Sequence, residues 1–94
     1  MKTIAGLAAL VLMLVSAGTA QAADHWFCRD YTRAAMRQVN LALSIPRCAR
    51  RLPGGSRWSA DPHVHFEWCR DASPWAADRE RRARRIFLDR CRSW

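Results

Sequence analysis

The chain reads as an all-α protein: a small three-helix domain, over about 24–43, 62–71 and 74–92, stapled by two disulfides after a cleaved signal peptide. Three observations predict this. Apolar residues recur at three- and four-residue steps in the first and last thirds of the mature region, the period of one helix face. Aspartate or serine followed by proline opens two of the segments, in Asp61-Pro62 and Ser73-Pro74, the signature of a helix N-terminus. Four cysteines in so short a chain supply two bridges, and β-propensity is low throughout.

Lys2 and the apolar run over residues 4–15 precede the small residues Ala20-Gln21-Ala22, which fit a signal-peptidase site. Cleavage is expected after Ala22, since the run is shorter than the roughly 20 residues of a membrane span. The domain is then residues 23–94, 72 in number, exported to the periplasm or secreted, with no transmembrane segment in the mature chain. A domain of this size buries only about 60% of its unfolded surface and needs cross-links, which persist in an exported compartment. No Cys-x-x-Cys occurs, which removes the commonest redox-enzyme and zinc-ribbon signatures.

Of the 16 basic residues Lys2 is the only lysine, so the mature region carries fifteen arginines against eight acids, a charge of +7. An arginine-only, alanine-rich composition reflects GC-rich coding in part. The charge still attracts anionic surfaces over about a Debye length, roughly 8 Å in physiological salt.

In the first helix Asp24 is the expected cap. Phe27, Tyr31, Ala34, Ala35, Gln38, Val39 and Ala42 form the buried stripe, with Arg29, Arg33 and Arg37 in water. Ser44-Ile45-Pro46 ends it, because the residue before proline is forced out of helical geometry. Residues 47–60 read as an irregular loop anchored by Trp58. The last helix is expected to bury Ala76, Ala83, Ile86, Phe87, Cys91 and Trp94, with Asp78–Arg82 and Glu80–Arg84 as i,i+4 ion pairs.

Helix geometry prunes the cysteine pairings. Residues 28 to 43 as helix rise about 22 Å, and the five residues on to Cys48 return at most about 18 Å, so Cys28–Cys48 is barely reachable. Cys69–Cys91 is worse. The expected bridges are Cys28–Cys91 with Cys48–Cys69; Cys28–Cys69 with Cys48–Cys91 is the alternative.

Two groups of residues carry functional readings. Arg79, Arg81, Arg82, Arg84, Arg85 and Arg90 on the last helix form a candidate face for an anionic partner: phosphates of lipid, or an envelope protein, with nucleic acid less favoured. Trp75 or Trp94 would insert beside it at a membrane interface. The alternative is metal handling at a new N-terminus. Ala23-Asp24-His25 would offer an amine, two amides and an imidazole, a four-nitrogen plane that suits Cu(II) or Ni(II). No other cofactor is implied. His63 and His65 point some 200° apart on a helix and do not share a metal; His65 is expected in the core, hydrogen-bonded to a carboxylate. Glu67 and Asp71 share a face, but local pairing with Arg70 accounts for them. The cysteines are read as oxidised, and Ser44, Ser56, Ser59, Ser73 and Ser93 sit in turns, at a cap or at the end. A non-enzymatic binding or structural protein is expected.

The spacing Cys28-x-x-Tyr31, Cys48, Gly55-x-Arg57-Trp58, His65-x-x-Trp68-Cys69 and Cys91 resembles a group of small exported four-cysteine proteins of Gram-negative bacteria. The resemblance spans most of residues 28–91. It departs from the pattern at Ala49, where those proteins carry glycine. It implies an exported, disulfide-stabilised domain with Trp68 in the core, and it carries no activity.

Overall fold

The computed structural model describes residues 22–94, so the expected signal peptide lies outside it but for Ala22. Among the described residues there are four α-helices and no strand: α1 His25–Ser44, α2 Pro46–Ala49, α3 Pro62–Arg70 and α4 Pro74–Cys91, with a 3-10 turn at Ser56–Trp58 before α3. The caps are those the sequence announces. Asp24 accepts a hydrogen bond from the Phe27 amide at 2.8 Å, Asp61 from the His63 amide at 2.9 Å, and Ser73 from the Ala76 amide at 3.1 Å. Each satisfies an orphan donor of a first turn.

Ile45 is extended (φ −107°, ψ 109°), as a residue before proline must be, and α1 stops there. The chain does not then wander. Pro46 takes the first position of α2, where its missing N–H costs nothing, and this single turn carries Cys48 into the core. The expected irregular loop therefore begins only after α2. At Gly55 φ is +103°, a conformation that side chains disfavour, so glycine is required to swing the chain into the 3-10 turn that seats Trp58.

The bridges are Cys28–Cys69 and Cys48–Cys91, with Cα atoms 5.6 and 5.0 Å apart. This corrects the favoured pairing, Cys28–Cys91 with Cys48–Cys69, and selects its alternative. The reason is the direction of α4. The Ala23 amide donates to the Ala72 carbonyl at 3.0 Å, beside the start of α4, and Gln38 Nε2 donates to the Arg81 carbonyl at 3.0 Å midway along. Helices α1 and α4 therefore run parallel, which brings the start of α1 to α3 and the chain beyond its end to the end of α4. The favoured pairing would have required them antiparallel.

Each disulfide is the centre of its own apolar cluster. Cys28 and Cys69 pack with Ala23, Tyr31, Ala35 and Ala77, flanked by Phe27, Phe66 and Trp68. Cys48 and Cys91 pack with Val39, Ala42, Trp58 and Leu88, flanked by Ile45, Leu52 and Phe87. Trp58 and Phe87 pack at a tilt with ring centroids 4.9 Å apart, and Tyr31 and Trp68 lie at 5.6 Å. At the far end Arg47 donates to the carbonyls of Arg92 and Trp94 at 2.9 and 2.8 Å, placing a cation at the negative end of α4.

The buried line of α4 is Ala77, Arg84, Leu88 and Cys91. Ile86 and Trp94, expected inside, are 47% and 46% exposed. The expected line skipped Arg84 because it is charged, and omitting that position rotates the inferred face toward Ile86.

Candidate anion-binding face and its buried support

The arginines of α4 do not form one surface. Successive residues on a helix point about 100° apart, and here the run divides three ways. Arg81 and Arg85, one turn apart, line a groove of about 210 Å³ against α1, together with Ala34, Arg37, Gln38 and Leu41. Arg79 lies over the ring of exposed Trp75 at 4.7 Å, and Arg82 and Arg90 are exposed elsewhere on the helix. Arg84 is completely buried. It is therefore not part of any contact face, which corrects its place in the candidate set.

Arg84 sits at the waist between the two apolar clusters. Its Nε donates to Gln38 Oε1 at 2.7 Å, its Nη1 to the Arg57 carbonyl at 3.3 Å, and its guanidinium carbon lies 5.2 Å from the centroid of the Tyr31 ring. Its Nη2 has no hydrogen-bond partner. A buried charge is tolerated only where it is hydrogen-bonded or paired. The nearby carboxylate is Glu80, which is gripped on its other side by Arg57 through Nε at 2.7 Å and Nη2 at 3.0 Å. That fork holds the Glu80 carboxyl below its ordinary value of 4.5, with Arg84 adding to the effect. Burial raises the Tyr31 phenol above 10.0, against the opposing influence of Arg84.

The ion pairs among the described residues are Arg57–Glu80 and a 3.9 Å contact of Arg33 with Asp30. The expected Glu80–Arg84 and Asp78–Arg82 pairs, and a local pair at Arg70, are not among them. Glu80 turns inward to Arg57, a residue 23 positions earlier, because a bidentate guanidinium–carboxylate fork is stronger than a solvated helix pair. A further hollow of about 310 Å³ lies under the Pro53–Ser56 loop, bounded by Trp58, Trp68 and this Arg57–Glu80 fork.

His65 is buried, as expected, but its partner is a carbonyl rather than a carboxylate: Nε2 lies 2.7 Å from the Ser59 oxygen. Ser59 ends the turn that holds Trp58, so this bond ties the loop to α3. Burial holds the imidazole below its usual 6.5. As pH falls through 6.5 the unfolded chain takes up a proton that the folded chain refuses, so stability is expected to decline from 6.5 down to the folded value. Glu80 adds a second loss below 4.5, where its carboxylate stabilises only while ionised. A pH series of denaturant midpoints should show both steps, and His65→Gln should flatten the upper one alone.

At the N-terminal end, Ala23 is buried with its amide on Ala72, Asp24 caps α1, and His25 packs edge-on against Phe66 at 5.4 Å. A planar Cu(II) or Ni(II) complex would need the nitrogens of Ala23, Asp24 and His25 together, and would compete with the helical start of α1 and with the Ala23–Ala72 bond.

Sequence reasoning missed Arg37 and Gln38 as partners of α4. Gln38 left a signal: a long amide inside an otherwise apolar stripe has to find hydrogen bonds somewhere. Arg37 left none, since its position matters only once α4 lies parallel beside it. In comparisons with protein families, curated proteins and solved structures, the chain matches no family model, no curated protein and no solved structure.

Proposed function

We propose that the chain is an exported, non-enzymatic binding domain of the periplasm or extracellular space, whose basic face docks on an anionic surface or envelope component. The observation that carries this reading is the α1–α4 groove, where Arg37, Arg81 and Arg85 converge and no carboxylate is among the lining residues. Two disulfides agree with an oxidising compartment, and among the described residues no helix is long and apolar enough to cross a membrane. The four cysteines are bridged and His65 is held by Ser59, so none of these five side chains is free for nucleophilic or acid–base work. Trp26 and Trp75 are 69% and 65% exposed, each with an arginine over its ring, an arrangement that suits the polar–apolar boundary of a bilayer.

Sedimentation with lipid vesicles tests the proposal. The oxidised protein is expected to pellet with phosphatidylglycerol vesicles in low salt, to be released as ionic strength rises, and to ignore phosphatidylcholine vesicles. Equal binding to both lipids, or no binding to the anionic ones in low salt, would remove it.

A further inference from the structure

We infer that the α1–α4 groove is a discrete site for a single phosphoryl group, held by Arg37 from one helix and by Arg81 and Arg85 from the other. The inference rests on the anionic-partner reading and narrows it to one ligand chemistry and three residues. Two features separate this groove from the rest of the basic surface. Its walls are fixed relative to one another, because Gln38 bridges them: Nε2 holds the Arg81 carbonyl at 3.0 Å and Oε1 holds Arg84 at 2.7 Å. Its arginines are unpaired: the ion pairs among the described residues, Arg57–Glu80 and Arg33–Asp30, include none of them. Neither Asp78, at i−3 from Arg81, nor Asp89, at i+4 from Arg85, comes within ion-pair distance.

The field at the groove is stronger than three surface arginines alone would give. Directly behind Gln38 lies the buried Arg84 guanidinium, with one nitrogen unpartnered and no carboxylate within ion-pair distance. Arg81 and Arg85 repel each other at i,i+4, and Arg37 adds a third like charge across the groove. An anion in the middle relieves all of these at once. A phosphoryl group suits the geometry, since its several oxygens can each accept from a different guanidinium, whereas a carboxylate has only two. The volume of about 210 Å³ is below the roughly 300 to 1,000 Å³ of sites that engulf a whole small ligand. The groove therefore takes a head group. Ala34 leaves room at one end, and partly exposed Leu41 offers an apolar contact at the other.

The test is a titration of the full oxidised protein with inorganic phosphate at constant ionic strength, following the arginine Nε–H resonances by NMR. The resonances of Arg37, Arg81 and Arg85 are expected to move together on one saturable curve, while those of Arg79, Arg82 and Arg90 stay still. Arg37→Gln should weaken that curve roughly tenfold, the loss of one charged hydrogen-bonding group, and leave the melting temperature unchanged. Phosphatidic acid vesicles then separate the sources. If the ligand is a lipid head group, they perturb the same three resonances at lower phosphate concentration; if it is free phosphate, they leave them unmoved while phosphate still saturates. Non-saturating movement of every exposed arginine would overturn the site yet leave the basic face standing. No movement, combined with no retention on anionic vesicles, would overturn both.

Discussion

Replacing Cys48 and Cys91 together by alanine is expected to cost about 4 kcal/mol, and replacing Cys28 and Cys69 about the same. Both bridges span similar lengths of chain, 43 and 41 residues, so each removes a similar share of the unfolded ensemble's freedom. A domain of this size is stable by only on the order of 4 to 11 kcal/mol. Either loss should lower the melting temperature by on the order of 20 °C, and losing both should leave no folded state. The consequences differ in place. The Cys48–Cys91 bridge closes the end where Arg47 caps α4 and Trp58 packs on Phe87, so that apolar cluster should loosen first in its absence. The Cys28–Cys69 bridge fixes α3 to α1, and its loss should expose amides of α3 to exchange ahead of those of α4. A melting shift under about 5 °C for either pair would contradict this.

Arg84→Ala is expected to destabilise by roughly 3 kcal/mol, more than any other single arginine substitution on α4. The loss has two parts. Gln38 Oε1 and the Arg57 carbonyl each lose a donor in the interior, and the stem of the side chain leaves a void against Tyr31. Arg84→Met restores the volume without the hydrogen bonds, and should recover part of the loss. Arg81→Ala, Arg82→Ala and Arg85→Ala, all on the exposed side, should stay within about 0.5 kcal/mol of the parent. Denaturant midpoints of this series measure which arginine is structural. An Arg84→Ala no more damaging than Arg82→Ala would mean that Arg84 is not the strut described above.

Helices α1, α3 and α4 and their boundaries were legible because the signals are local. Asp24, Asp61 and Ser73 cap what they are placed to cap, and Pro62 and Pro74 each begin a helix as their fixed φ and missing N–H dictate. The single turn α2 was not legible, because Pro46 reads first as the end of α1. The exclusion of Cys28–Cys48 was legible too, as a matter of reach. What could not be read is everything that depends on how α4 lies against α1. Parallel and antiparallel arrangements bury nearly the same residues of either helix, so periodicity is silent between them, and with it the choice between the two cross-pairings. Arg84 was assigned to the surface because charge argues for water in any single-helix view. Only Gln38 from α1, Tyr31 and the Arg57 carbonyl together make its burial tolerable. The groove shares this origin. Arg37 looks like one of three solvated arginines on α1 until the parallel packing sets it beside Arg81 and Arg85.

That packing direction is the claim on which the candidate site depends, and a tryptic map of the unreduced protein tests it most directly. Trypsin can cut after Arg29, Arg50, Arg70 and Arg90, which places each cysteine in a separate peptide. Parallel α1 and α4 predict that the peptide of Cys28 runs joined to that of Cys69, and the peptide of Cys48 to that of Cys91. Cys28 joined to Cys91, with Cys48 joined to Cys69, would turn α4 end for end against α1 and separate Arg37 from Arg81 and Arg85, leaving no groove to bind an anion.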